Sequence, residues 1–272
     1  MLHALYLPPF GEFADPHVMA DLAVAADEAG WDGIFLWDHM IRPEGDPQQI
    51  ADTWIVLAAI AASTTRILIG PMITPLARRR PQKVARETVT LDHLSSGRLV
   101  LGVGLGVNSG GELERFGETV DEKERADRLD EALELLLELW SGGPVQHDGR
   151  YFKASGVRFL PKPVQEPWIP IWGAASGRSQ RVAPLQRAAR LDGLFPVHAG
   201  LDRIEWMLSV VKASRGSLDG FDVAVEVAPD AARTELDALE ALGATWTMRS
   251  FGVHTPVEDV RALAGQSPSH LR

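Results

Sequence analysis

The 272-residue chain is 45% hydrophobic and 24% charged, an ordinary globular composition with length enough for one large core or two small ones. Its formal charge of -10 opposes nucleic acid or an anionic membrane as the principal partner. With no cysteine, disulfides, thiolate metal sites, iron–sulfur clusters and cysteine nucleophiles are all excluded for this chain. The opening MLHALYLPPFGEF reads as strand and turn, not as a signal peptide. The longest apolar run, Ile55 to Ala62, is far below the ~18 residues a membrane helix needs, so a soluble cytoplasmic protein is expected.

Short β-branched and aromatic runs alternate with longer amphipathic stretches along the whole chain, the pattern of βαβ units around a parallel sheet. Eight strands are predicted: His3 to Leu7, Gly33 to Trp37, Arg66 to Gly70, Leu99 to Val103, Ile169 to Gly173, Gly193 to Val197, Val223 to Val227 and Thr245 to Met248. Helical spacing separates them, as in Val18, Leu22, Ala25 and Ala29, or Leu129, Leu133, Leu136 and Trp140. Asp121, Glu122 and Glu124 crowd the start of the fourth helix, where carboxylates suit the free N–H groups, and Gly142 and Gly143 end it. The proline-rich connection from Ser141 to Trp168 is long for a barrel loop and is expected to hold a small hairpin around Tyr151 and Phe159. Eight repeats in somewhat over ~250 residues predict an α/β fold, a single-domain (β/α)₈ TIM barrel over residues 1–272, with its site at the C-terminal strand ends. A doubly wound open sheet is the alternative, but its usual phosphate loops, Walker A and G-x-G-x-x-G, are missing.

Several strand ends carry candidate chemistry. The second strand closes on Asp38 and His39. An imidazole there moves protons near neutral pH beside an orienting carboxylate, and the simpler reading is a pair that caps the strand end. The third strand ends in Gly70 and Pro71, where a missing N–H predicts a bulge. The fourth places Gly102, Gly104 and Gly106 on one face, either to admit something bulky or to relieve crowding. Asn108, just beyond, suits a heterocycle edge or a turn equally. After the fifth strand, Gly173, Ser176, Gly177 and Arg178 offer a phosphate cradle or a plain Gly–Ser connector. Arg78, Arg79 and Arg80 read as a surface basic patch or a contact to an anionic ligand tail, and Asp127, Asp130, Glu131 and Glu134 as a solvated face. No histidine spacing suits a metal, so none is expected.

The ordered strings AADEAGWDGIFLWDHM, TTRILIGPMITPL, ARETVTLDHLSSGRLVLGVGLG, RLDEALELLLELW and AARLDGLFPV resemble the luciferase-like monooxygenase family over nearly the whole chain. The resemblance implies the same (β/α)₈ barrel, with a flavin across its mouth. It places the ring at the bulge, here Gly70, Pro71, Met72 and Thr74, beside Gly104, Gly106 and Asn108. The phosphate falls at Gly173, Ala174, Ser176, Gly177 and Arg178. It also implies a non-prolyl cis peptide near Pro71–Met72. Asp38 and His39 match a pair near the ring in deazaflavin-using members. Those members often carry a glutamate just after the fourth-strand glycines, where this chain has Val107, whereas FMN users more often show Asn followed by Glu, here Asn108 with Glu112 or Glu114. Some FMN users also have tyrosine where Ala126 follows Arg125. The chain is short for the family, which implies missing substrate-shaping insertions.

The leading expectation is therefore a homodimeric monooxygenase in which reduced FMN and O₂ oxygenate a small organic substrate, with His39 and Asp38 as the catalytic pair. The alternatives are a hydride-transfer enzyme using the deazaflavin coenzyme F420 in the same pocket, and a non-catalytic flavin-binding barrel. Phe10, Trp37, Met72 and Phe195 are the candidates for an apolar pocket lining.

Overall fold

Each buried run becomes a strand and each amphipathic stretch a helix in the computed structural model, which describes residues 1–41 and 49–268. Strands β1 (Leu2–Leu7), β2 (Gly33–Leu36), β3 (Leu68–Pro71), β4 (Leu101–Gly104), β5 (Ile171–Ser176), β6 (Gly193–Val197), β7 (Asp222–Val227) and β8 (Trp246–Ser250) are all parallel. Each is followed by a helix: α1 (Pro16–Ala29), α2 (Thr53–Ser63), α3 (Pro81–Ser95), α4 (Glu122–Trp140), α5 (Ala183–Ala188), α6 (Leu201–Arg215), α7 (Arg233–Leu242) and α8 (Val257–Ala264). The strands neighbour one another in the order β3, β2, β1, β8, β7, β6, β5, β4. A parallel bridge between Ile69 and Leu99, and a short strand Thr74–Pro75 against β4, draw the two ends together. The expected (β/α)₈ barrel is the fold observed. Among the described residues, no helix is long and apolar enough to cross a membrane.

Alternation along the strands separates two buried layers. Leu5, Leu7, Ile34, Leu36, Leu101 and Val103 face the helices, while Ala4, Tyr6, Phe35, Met72, Trp172, Phe195, Ala224, Trp246 and Met248 fill the barrel. Phe35, Trp172 and Trp246 meet pairwise with ring centroids 5.4 to 6.0 Å apart. That plug fits because Gly33 has no side chain, since a Cβ there would lie 2.7 Å from the Phe35 ring. The lower barrel is thus packed solid, and chemistry is left to the mouth.

Buried polar side chains fix the turns beneath. The Asp27 carboxylate accepts the N–H groups of Thr65, Arg66 and Ile67. Burial alone would raise its pKa, but those donors and the Arg66 charge hold it below the usual range. Arg98, 8% exposed, donates to the carbonyls of Ala61, Thr64, Ile67 and Ser95 and to the Thr64 hydroxyl. Arg98→Met strands those carbonyls without a donor, and a urea melt is expected to register a loss of about 3 kcal/mol. A melt within 1 kcal/mol of wild type, at about the level of one ordinary hydrogen bond, contradicts that bracing role.

The long connection does hold a hairpin, Pro144–Asp148 against Lys153–Arg158, with Tyr151 in its turn and Phe159 just past its end. Glu131 accepts the Tyr151 and Phe152 N–H groups, and Asp130 pairs with the nearly buried Arg187 at 2.7 Å. The acidic face predicted on α4 is therefore only partly solvated. Half of its carboxylates brace neighbouring elements.

Candidate active site

The C-terminal strand ends bring the flagged residues to one rim. At the end of β2, the His39 Nδ1–H donates to Glu112 Oε2 at 2.8 Å. Glu112 is only 3% exposed and also accepts the Met40 N–H at 2.6 Å and lies 3.1 Å from Arg78 Nη2. Burial alone would raise the Glu112 pKa. The hydrogen bond and charge of His39, the Met40 N–H and the Arg78 guanidinium outweigh it and hold the carboxyl below the usual range. An ionised partner on Nδ1 sets the imidazole tautomer and leaves Nε2 as the atom that exchanges a proton.

Glu112 reaches His39 because the chain turns back after β4. Gly110 and Gly111 both take left-handed φ, 64° and 78°, a conformation that glycine adopts without steric cost. Asn108 Oδ1 accepts the Leu113 and Glu114 N–H groups, so Asn108 serves as the turn residue of its two readings.

Asp38 is held differently. Both its oxygens lie 2.7 Å from Arg79 Nη2, and Oδ2 accepts the Thr74 hydroxyl at 2.9 Å. Its carboxylate is engaged in fixing the strand that resumes beyond the bulge. The bulge falls later than expected: Pro71 still pairs with Leu36, β3 breaks at Met72 and Ile73, and Thr74 rejoins against Val103. The non-prolyl cis peptide is Met72–Ile73, one residue beyond the expected bond. The Tyr6 hydroxyl donates to the Met72 carbonyl at 2.7 Å. Burial first, and then the Glu226 carboxylate, push the Tyr6 phenol well up, which keeps it a donor.

A surface patch at Arg78 and Arg79 is not what forms. The turn after Pro75 directs both side chains to the carboxylates of the rim, and only Arg80 is exposed. A cleft of about 280 Å³ opens there, lined by Met40, Arg78, Arg79, Glu112, Phe116 and Glu118. Phe10 and Trp37 flank His39, each with a ring centroid 6.1 Å away. Trp37 continues to Tyr6, and Tyr6 to Phe195. Phe10, Met72 and Phe195 are buried, and Trp37 is half-buried.

The glycines have packing reasons. A Cβ on Gly70 would meet the Val100 carbonyl oxygen at 2.0 Å, and one on Gly102 the Pro71 oxygen and Met72 sulfur at 2.5 Å. Gly104 lies against Ile73 and Ala174, Gly106 (φ 75°) against Pro75, and Gly173 against Ala188 behind the strand. They relieve crowding around the bulge. The loop after β5 is also more engaged than a free cradle: the Gly177 N–H donates to the Val197 carbonyl, and the Arg178 N–H to the Ser176 hydroxyl. What remains for an anion is the exposed Arg178 guanidinium, which is in no ion pair among the described residues, whereas Arg181 is taken by Glu122. No group of three metal-ligating side chains occurs among the described residues.

Because Glu112 at neutral pH is ionised and buried, Glu112→Gln is expected to lower stability by about 3 kcal/mol. A carboxyl held low in the folded state stabilises above its unfolded pKa and loses that contribution as pH falls through the folded value. Denaturation measured from neutral to acidic pH should therefore show wild type and variant converging below the usual carboxylate range. A constant gap would rule the network out as its source.

Over residues 6–270 the chain matches the profile described as luciferase-like monooxygenase. It is 33% identical over 285 residues to the F420-dependent glucose-6-phosphate dehydrogenase of Beutenbergia cavernae, covering 99% of this chain and 81% of that one. To the enzyme of the same name from Nakamurella multipartita it is 36% identical over 165 residues, 60% of this chain and 47% of the relative. The chain thus spans about half the length of several curated relatives it matches. Coenzyme F420 dependent tetrahydromethanopterin reductase from Methanopyrus kandleri superposes with a TM-score of 0.83 at 19% identity, over 100% of this chain and 99% of that one, a likeness of fold alone. These curated relatives overturn the expectation of a monooxygenase using reduced FMN and O₂. Where Val107 stands at the glutamate position of deazaflavin-using members, Glu112 supplies His39 with a carboxylate from further along the chain.

Proposed function

The chain belongs to the luciferase-like monooxygenase family, and from that premise we propose that it is an F420-dependent oxidoreductase transferring a hydride between the deazaflavin ring and an oxygen-bearing carbon of a small organic substrate. The observation that carries this reading is His39 held by the buried, ionised Glu112 at a barrel strand end, beside an aromatic wall. The names of the curated relatives support the coenzyme and the reaction class.

The residues fit such a coenzyme at two places. Trp37, Tyr6 and the interrupted strand at Met72 and Ile73 offer an aromatic face and backbone for a ring, and Arg178 with the Ser176 hydroxyl offers a cation and a donor for a phosphate. Bound there in oxidised form, the deazaflavin would supply a two-electron hydride acceptor. His39 Nε2 takes the substrate's hydroxyl proton, and Glu112 and Arg78 hold the ring in place and balance the imidazolium that results. Asp38 positions Thr74 and Arg79 and moves no proton itself. Gly70, Gly104, Gly106 and Gly173 shape the strands behind the ring.

Fluorescence titration of the purified protein with F420 and, separately, FMN tests the assignment. F420 is expected to bind with a micromolar Kd, about −8 kcal/mol, and FMN at least about tenfold more weakly, a difference of 1.4 kcal/mol or more. Tighter FMN binding would overturn the proposal.

A further inference from the structure

Across the mouth from His39, a second polar group occupies the inner face of the barrel. Ala224 and Met248 lie inside the barrel, so Glu226 and Ser250, two residues further toward the mouth on β7 and β8, share that inner face. Strand register puts Tyr6 level with Ser250, and Glu226 level with Met248. The Ser250 hydroxyl donates to Glu226 Oε1 at 2.7 Å. Glu226 Oε2 lies 3.9 Å from Nδ1 of His198, too long for a hydrogen bond. The Glu226 side chain is 26% exposed and His198 56%. His198, at the end of β6, holds a φ of 53°, a left-handed conformation uncommon for a side-chain-bearing residue.

The Ser250 bond ties one Glu226 oxygen to the neighbouring strand and leaves the other free for a donor at the barrel mouth. Bracing to β8 uses only Oε1, and Oε2 accepts no hydrogen bond among the described residues. Glu226 shares the inner face with Tyr6, close enough for its charge to act on the phenol, and the Tyr6 ring touches Trp37 and, through it, His39. A ligand that extends from His39 along the Trp37 and Tyr6 rings ends beside the Glu226 carboxylate.

We propose that Glu226, oriented by Ser250 and flanked by His198, selects the substrate: it accepts a hydrogen bond from a hydroxyl or ammonium group on a neutral or cationic alcohol and rejects anionic ones. The proposal rests on the deazaflavin reading for the chemistry, and on Glu226 for the choice of molecule. Like charges brought together are disfavoured, whereas a carboxylate opposite a donor is matched.

Three alcohols of one carbon skeleton test this: isopropanolamine, propylene glycol and lactate, each with the same secondary hydroxyl and respectively a cationic, neutral and anionic neighbour. With the F420-loaded protein, kcat/KM is expected to fall in that order, lactate being at least about tenfold poorer than isopropanolamine, and E226Q should erase the ranking. Independently of turnover, adding isopropanolamine to the coenzyme-free protein should shift the His198 imidazole proton resonance, identified by its loss in H198Q, and E226Q should abolish that shift. An unmoved His198 signal, or a ranking that E226Q leaves unchanged, overturns the proposal. Failure of F420 to bind counts instead against the deazaflavin reading, and the His198 titration still decides the role of Glu226 because it needs no coenzyme.

Discussion

His39→Ala is expected to reduce kcat for F420-dependent alcohol oxidation by about 10² to 10⁴, the range contributed by a positioned proton-transfer group, while leaving the Kd for the coenzyme within a few fold. The separation follows from the geometry. His39 is 31% exposed and anchored through Nδ1 to Glu112, so its loss removes the proton acceptor while the bulge keeps its own bonds to Tyr6 and Asp38. His39→Gln is the sharper control, because it can keep a bond to Glu112 yet cannot accept a proton at neutral pH. Equal kcat in wild type and both variants would remove His39 from the chemistry. A parallel collapse of coenzyme affinity would make it a binding residue.

Gly70→Ala carries the other large effect, on folding. The new Cβ would sit 2.0 Å from the Val100 carbonyl oxygen and 3.3 Å from the Phe35 ring. That carbonyl belongs to a buried segment, Leu99 to Leu101. A clash against backbone is costlier than ordinary overpacking, and a loss of about 4 to 5 kcal/mol is expected, at the far end of single-residue effects. Chemical denaturation, or the failure to recover folded protein, reads it directly. Gly104→Ala meets only Ile73 Cγ2 at 3.1 Å and Ala174 Cβ at 3.5 Å, contacts that side chains can relax, and should be much milder. If both variants fold like wild type, packing does not explain the glycines, and a role in ligand contact returns.

The barrel was legible because each strand is a short β-branched or aromatic run bounded by turn residues and each helix shows its apolar stripe. The boundary of β3 was misread by two residues for a specific reason. Arg66 and Ile67 look like strand, but the Asp27 carboxylate takes their N–H groups and removes them from the ladder. That pairing spans about forty residues, and no local pattern announces it. The site was legible in part. His39 and Asp38 stood out at a strand end, yet their partners come from elsewhere: Arg79 from the turn after β3, Glu112 from a glycine turn after β4. Arg78 and Arg79, open in the sequence to a surface patch or an anionic ligand tail, meet two carboxylates of the chain itself. Counting positions from the glycines to Val107 pointed to FMN, whereas two left-handed glycines fold the chain so that a later glutamate reaches the histidine. Glu226, Ser250 and His198 carry no spacing signal at all, since two strands and the turn after a third bring them together.

The central claim is hydride chemistry on a deazaflavin, without oxygen. The most direct test is an anaerobic incubation of the protein with oxidised F420 and the three secondary alcohols, following loss of the oxidised coenzyme's absorbance and then repeating the run in air with an oxygen electrode. The account predicts that absorbance falls equally fast with and without O₂, with no oxygen consumed and a ketone formed in step with reduced coenzyme. Turnover that requires O₂ and reduced FMN, with no reaction on F420, would contradict it.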